Sequence, residues 1–507
     1  MSKILAGFTF LSLLLILLGI NRGFDISDEG LYMLLANPAQ ENIAGIFNYD
    51  LFFKLFYNVT GIEFGIVGIR GLRLFFYFLA AISLTYFWRN LTGEGKLSIN
   101  HFFIFLLGVF AGYGMQPPSL SYNSLSVVLA CFWITLISQA NRSFFRDLLL
   151  GLVLALLFYV KITSCLGLGL VTAIFIYYKK QLDWKSISGI LLPLIFLETI
   201  FLLFLDDNGL VRLLEAIDMM GNREDYRFSL LLKYSLVGVF WLVIVSLPFF
   251  AAGYSRKLHY YLSNGLLCIG TLALVVVSYF TTITDEWNHI LLLLAAGVLA
   301  FQFGFVQGKN ILEKQWVLIV LLLIIPFLLH FGSNLYWLRL GIHYLVFWLM
   351  AIVFLSNSLQ PLRRKLLHGC IAILTLTVVL NGIWINPFEQ ESLWHSTETW
   401  EYKPGKTILL SKDQVHFLSE AKQFVTDKAS LLVFYKIPGL AFLLNKNIPK
   451  SPGYWRKDHL ESFFPQEIPG DVIFYCPYDS LPPNLNFNTQ KILEMPNEEQ
   501  LQVLWRD

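Results

Sequence analysis

Charge is what this sequence lacks. Only 14% of its 507 residues are Asp, Glu, Lys or Arg, against about 25% in a soluble globular chain. Most of the deficit lies before Pro387, and the chain after it has an ordinary composition. The formal net charge is +2, which leaves no electrostatic case for nucleic acid as a partner. Cysteine is scarce as well. Cys131, Cys165, Cys268, Cys370 and Cys476 include no C-x-x-C spacing, the pattern that a metal knuckle or redox pair would show. They read as small buried hydrophobes. The chain has no internal repeat and no low-complexity linker.

What it has in excess is apolar length: 56% of the residues are hydrophobic and the mean hydropathy is +0.61. A helix needs roughly 20 apolar residues to cross the hydrocarbon core of a bilayer. Runs of that kind centre on residues 4–20, 66–88, 100–115, 121–138, 147–160, 162–178, 187–205, 231–253, 262–281, 288–306, 316–332, 336–355 and 366–385. The first run ends at Ile20-Asn21-Arg22 without a small-x-small cleavage site, so it reads as a span rather than a signal peptide.

The connections between runs alternate in sign. Basic ones carry Lys3; Arg89 and Lys96; Arg142 and Arg146; Lys179, Lys180 and Lys185; Arg256 and Lys257; Lys309 and Lys314; Arg363, Arg364 and Lys365. The intervening ones are acidic or neutral, with Asp25, Asp28 and Glu29 in the first and Asp285 and Glu286 in a later one. Under the positive-inside rule this pattern puts the N-terminus in the cytoplasm, and an odd number of spans puts the C-terminus outside. It also makes Lys161 a break between two short spans.

The predicted architecture is a polytopic α-helical membrane protein of about thirteen transmembrane helices, occupying residues 1–385 with an external loop at 21–65. A small external α/β domain follows over 386–507. Its signals are an amphipathic helix over Gln414–Val425, a strand-like run over Leu431–Tyr435, a short helix started by Pro438 and a second strand-like run over Val472–Tyr475. The Tyr435-Lys436-Ile437-Pro438-Gly439-Leu440 segment between them reads as an ordinary strand-turn-helix junction.

Ionisable groups near a membrane are costly and concentrate at functional sites. The richest cluster is Asp25-Ile26-Ser27-Asp28-Glu29-Gly30-Leu31-Tyr32, directly after the first run. It is either a solvated loop or a general base or metal ligand awaiting a hydroxyl or amine. Neighbouring acids raise each other's pKa, which suits one of them to proton transfer. A helix over Leu31–Ala36 lying at the interface would bring Tyr32 one turn from Asp28. Downstream come Asn48-Tyr49-Asp50-Leu51-Phe52-Phe53, then Arg70 and Arg73 at the start of the second run. Those arginines either snorkel or hold a phosphate.

In these residues the chain resembles the GT-C superfamily of membrane glycosyltransferases, the group holding lipid A aminoarabinose transferases and protein O-mannosyltransferases. Asp28-Glu29-Gly30-Leu31-Tyr32 is similar to the family's Asp-Glu-x-x-Tyr-like motif after helix one. Asp50 to Phe56 stands for its apolar-aromatic segment, and Arg73-Leu74-Phe75 for its Arg-Leu-led second helix. Leu150-Gly151 through Lys161-Ile162-Thr163 stands for its Gly-rich helix ending in lysine.

The resemblance implies transfer of a sugar from a polyprenyl-phosphate donor to a lipid, glycan or protein acceptor at the external face, with inversion. Asp28 is then the base and Glu29 orients the acceptor. The departing lipid phosphate needs cations, for which Lys161 comes first and Arg73 and Arg339 follow. It also implies a bacterial inner membrane. Many relatives carry a second acid between helices three and four, whereas Met115 to Asn123 contains none. No cofactor is indicated, and a divalent metal stays an open question. Tyr122 and Asn123 remain candidates for hydrogen bonds to a sugar. Asp285, Glu286, Trp287 and His289 form a further external cluster suited to sugar binding, although an interfacial Trp belt accounts equally for Trp287. The Asn58-Val59-Thr60 sequon is common by chance.

Two readings compete. A polysaccharide polymerase or O-antigen ligase would carry a large external loop rich in Arg and His, which is missing. A transporter or lipid-linked glycan flippase would show repeated halves and mid-membrane charges, whereas here the acids gather near the ends of the runs.

Overall fold

The computed structural model describes residues 2–43, 45–139, 141, 143–180, 183–220, 227–282, 287–306, 311–425, 431–482, 485 and 488–505. Each of the thirteen apolar runs is helical. In chain order the first part contains α1 (Ser2–Gly19), α2 (Asp28–Leu35), α3 (Asp50–Thr60), α4 (Ile66–Thr92), α5 (Ile99–Phe110), α6 (Tyr122–Ser138), α7 (Phe144–Val160), α8 (Ile162–Tyr178) and α9 (Trp184–Leu205). Then come α10 (Gly209–Met220), α11 (Phe228–Ser255), α12 (Tyr260–Thr281), α13 (Asn288–Val306), α14 (Glu313–His330), α15 (Trp337–Leu340), α16 (Leu345–Leu355) and α17 (Pro361–Leu380). A 3₁₀ turn over Gly341–Tyr344 joins α15 to α16 as one apolar rod.

Nine of these segments among the described residues are long and apolar enough to cross a bilayer. In hydrocarbon a backbone must satisfy its own polar groups, and a helix does so within one segment. The α15–α16 rod is the most enclosed of the nine; there Trp337 stacks on Phe327 with ring centres 4.7 Å apart and meets Trp348 at 5.4 Å. The helices α8, α9, α11 and α12 instead turn large side chains outward, among them Leu170, Leu203, Phe240 and Leu272. On a membrane protein that outward apolar surface is the lipid-facing side.

Three shorter helices lie between the spans. The interface helix expected over Leu31–Ala36 is α2, which starts earlier and is buried from Glu29 to Leu35. The other two, α3 and α10, are locked together by charge. Arg212 of α10 donates from Nη1 to both Asp50 carboxylate oxygens at 2.8 Å, and its Nε reaches Asp207 at 2.9 Å.

The C-terminal unit holds a hairpin of β1 (Glu398–Lys403) and β2 (Lys406–Leu410), then α18 (Lys412–Lys422), β3 (Leu431–Phe434), α19 (Gly439–Leu443), α20 (Lys457–Phe463), β4 (Val472–Tyr475), β5 (Asn488–Glu494) and β6 (Gln500–Trp505). The second sheet runs β3-β4-β6-β5, with β3 and β4 parallel and the other pairs antiparallel. Strands β3 and β4 are buried along their whole length, which is why both were legible as short apolar runs. The chain leaving α1 joins this unit: Arg22 pairs with Leu409 as an added parallel bridge, and Gly23 N–H donates to Leu409 O at 2.8 Å.

Candidate active site in the connection between α1 and α4

The three acids of the first loop have three different fates. Asp25 folds the loop into α2: its carboxylate accepts from the Ser27 N–H at 2.8 Å and the Glu29 N–H at 3.0 Å. Glu29 returns the contact, accepting from the Asp25 N–H at 3.3 Å. This reciprocal arrangement resembles a capping box. Burial, and then the nearby Asp28 charge, push the Asp25 carboxyl well above the usual carboxylate range.

Glu29 is fully buried and spoken for. Arg70 of α4 grips it with two parallel bonds, Nε to Oε1 at 2.8 Å and Nη2 to Oε2 at 2.7 Å. The Ser119 hydroxyl donates to the same carboxylate. The outer edge of the guanidinium donates to the carbonyls of Ile20 at 3.1 Å, Arg22 at 2.8 Å and Gly23 at 2.7 Å. One arginine therefore ties the end of α1, the start of α2 and the loop before α6 to α4.

Asp28 is the exception. Its side chain is half-buried, and among the described residues no hydrogen bond or ion pair holds its carboxylate. Burial and the Glu389 charge raise its pKa to about 7, while Arg339 and Lys436 act in the opposite direction. Two buried tyrosines share this neighbourhood, and the burial of each pushes its phenol well above the ordinary value, with Asp28 adding to the rise. The hydroxyls of Tyr32 and Tyr49 have no hydrogen-bond partner among the described residues. Buried polar groups are nearly always paired in native proteins, and both hydroxyls keep their donors available to a group that enters beside Asp28.

Tyr122 extends the cluster. It stands edge-on to Tyr32 with centres 6.2 Å apart, stacks on Phe47 at 4.4 Å, and lies 5.8 Å from the Lys161 ammonium. Lys161 is the break between α7 and α8, with an extended backbone at φ −158°. Its ammonium donates to Leu329 O at 2.5 Å, one of the carbonyls that the end of α14 leaves without a helical donor. Burial lowers its pKa to about 7. The bond to Leu329 O is the ammonium's one hydrogen bond among the described residues, which leaves donor capacity for an anion.

The remaining sequence candidates fall elsewhere. Arg73 is buried as a structural hub, donating to Tyr77 Oη at 3.0 Å, Pro117 O at 2.6 Å and Gly112 O at 2.7 Å, with its guanidinium 4.2 Å from the Tyr113 ring centre. Asn123 is buried, and its amide donates to Gln116 Oε1 at 3.0 Å. Arg339 is half-buried and acts on the Asp28 charge. Trp287 packs against the main core. His289 is buried, and its Nε2 faces the Ser278 carbonyl at 3.3 Å and the Thr282 hydroxyl at 3.5 Å at the end of α12. Asp285 and Glu286 lie outside the described residues. Among the described residues no group of three or more His, Cys, Asp or Glu is arranged to hold a metal ion.

The C-terminal unit supplies what sequence reasoning missed. Lys436, on the turn before α19, and Glu389 act on Asp28 across more than 350 residues of chain; no local pattern signals such a meeting. The turn is brought close by two glycines. Gly439 N–H donates to Ile26 O at 2.7 Å, and a Cβ at Gly30 would lie 2.2 Å from the Gly439 Cα. Only glycine allows backbones to approach so closely.

No known family model matches the chain, and no curated protein matches it in sequence. Among solved structures it is similar to the crystal structure of ArnT from Cupriavidus metallidurans bound to undecaprenyl phosphate. That likeness covers 98% of this chain and 97% of that one, at 11% sequence identity and a TM-score of 0.41.

Proposed function

We propose that the chain is a membrane glycosyltransferase, moving a sugar from a polyprenyl-phosphate donor to a hydroxyl or amine on a lipid, glycan or protein acceptor. The observation that carries this reading is the state of Asp28. Of three neighbouring carboxylates it alone keeps its lone pairs unspent, beside two buried phenols without partners. A carboxylate with a pKa near 7 is well matched to proton abstraction at neutral pH.

Asp28 takes the proton of the acceptor nucleophile as that atom attacks the anomeric carbon. The bond from the carbon to the phosphate oxygen breaks on the opposite side, inverting the centre, and polyprenyl phosphate departs as an anion. Lys161 and Arg339 are the cations assigned to it. Tyr32 and Tyr49 donate to sugar or phosphate oxygens. Glu29, clamped by Arg70, positions the loop that carries Asp28. Residues 1–385 form the catalytic unit in a bacterial inner membrane, and 386–507 lie on its outer side with the acceptor.

The test is transfer in proteoliposomes with a panel of polyprenyl-phosphate sugars. Asp28→Asn lowers turnover by about 100-fold or more, the usual weight of a general base, while donor binding survives. Unchanged turnover in that variant removes Asp28 from the chemistry. Absence of transfer by the wild type with every donor, together with lipid scrambling across the bilayer, overturns the enzyme reading in favour of a flippase.

A further inference from the structure

A second site lies at the other end of α4. Arg70 and Arg89 are nineteen residues apart on this helix, a rise of about 28 Å, close to the thickness of a hydrocarbon core. Arg89 therefore marks the membrane face opposite Asp28. Beside it, between α4 and α6, is a cavity of about 430 Å³. Leu79, Ile82, Tyr86, Arg89 and Asn90 line it from one face of α4, at the i, i+3, i+7, i+10 and i+11 spacing of a helical stripe.

The lining is graded. Arg89, Asn90 and Gln139 stand at the end nearer the interface, while Leu79, Ile82 and Phe132 wall the end toward the bilayer centre. The hydroxyls at the floor are already satisfied: Ser83 donates to the Cys131 carbonyl at 3.1 Å and meets Thr135 Oγ1 at 2.9 Å. This is no polar path across the membrane. Ile82 and Tyr86 are 43% and 41% exposed, so the cavity opens sideways to lipid. The half-buried Arg89 guanidinium lies 5.3 Å from the Tyr86 ring centre, and no carboxylate pairs with it among the described residues.

We propose that this cavity binds one anionic glycerophospholipid, with its phosphate on Arg89 and Asn90 and the upper part of one acyl chain against Leu79, Ile82 and Phe132. A soluble anion would gain nothing from the apolar wall, and a lipid without a phosphate would leave the guanidinium without a counter-charge. The lipid meets both requirements. The site is independent of the transferase reading, since it lies one membrane thickness away from Asp28.

Native mass spectrometry of the detergent-purified full chain, titrated with phosphatidylglycerol or diacylglycerol of matched chains, tests this. The wild type binds the first lipid tightly to one site, with about tenfold preference over the second, the worth of one charge-assisted hydrogen bond. Arg89→Gln abolishes the preference. Ile82→Trp, at a half-exposed position, fills the cavity and removes the tight site without depending on the arginine variant's folding. Equal binding of both lipids by the wild type, or a preference that survives either substitution, overturns the proposal.

Discussion

Replacing Glu29 with glutamine keeps the side chain's shape and removes its charge, which isolates the role of the buried pair. Both partners are essentially inaccessible, with side-chain exposures of 1% for Arg70 and 0% for Glu29. A glutamine presents one acceptor where the carboxylate presents two, and its amide would face a guanidinium N–H. Breaking a buried pair from one side costs about 3–5 kcal/mol, and Glu29→Gln and Arg70→Met should each show a loss of that order.

The double variant Glu29→Leu, Arg70→Met is the informative one. Many buried pairs can be replaced by apolar residues without loss. Here the outer edge of Arg70 also serves the Ile20, Arg22 and Gly23 carbonyls, and Glu29 serves the Asp25 N–H and the Ser119 hydroxyl. Each group stranded without a partner costs about 1–3 kcal/mol, so the double variant is expected to be at least as unstable as either single one. Thermal unfolding in detergent reads the global loss, and hydrogen exchange over residues 19–35 reads local opening of the loop. Wild-type protection in Glu29→Gln, or recovery in the double variant, would refute the reasoning.

The pH dependence of transfer follows from Asp28. Turnover rises with pH as Asp28, with a pKa near 7, ionises and falls as Lys161, also near 7, loses its charge, so the profile is a bell with its maximum near pH 7; a flat profile from pH 5 to 9 would contradict it. Lys436→Ala removes a cation and moves this rise to higher pH, whereas Glu389→Gln removes an anion and moves it to lower pH, both read from kcat/KM profiles. Stability has a linked sign. A carboxyl whose folded pKa lies above its unfolded value, about 3.9, favours the native state most at low pH, and that contribution disappears as pH rises from about 4 to about 7. Asp28→Asn should therefore lessen the fall of the melting temperature over that range, while Asp25 keeps its own contribution. Gly30→Ala forces its new Cβ against Gly439 and costs about 1–3 kcal/mol by overpacking, while Gly71→Ala, with open space around it, leaves the melting temperature within a degree or two.

The membrane-spanning part was legible because its signal is local. A bilayer sets a minimum apolar length for each crossing, and a helix meets that demand from one contiguous segment, so every run from 4–20 to 366–385 could be read without its neighbours. The buried strands β3 and β4 were legible for a similar reason, as unbroken apolar runs. The hairpins β1–β2 and β5–β6 were not, because strands that alternate polar and apolar residues take their pairing from partners that periodicity does not name.

The candidate site divides in the same way. Composition and spacing placed three carboxylates and a tyrosine after the first helix, and that much is written in consecutive residues. Which acid keeps free lone pairs is decided elsewhere, by Arg70 taking Glu29, by the loop's own backbone taking Asp25, and by Lys436 and Glu389 approaching Asp28 from the far end of the chain. Arg73 and Arg339 are equally cationic on paper; in the fold Arg73 donates to backbone carbonyls and Arg339 acts on the Asp28 charge. The sequence by itself determined which groups are available, because residue type and local period are properties of the chain. Only the tertiary structure decided which remain unsatisfied, because desolvation and hydrogen bonding depend on what packs against each group from distant segments.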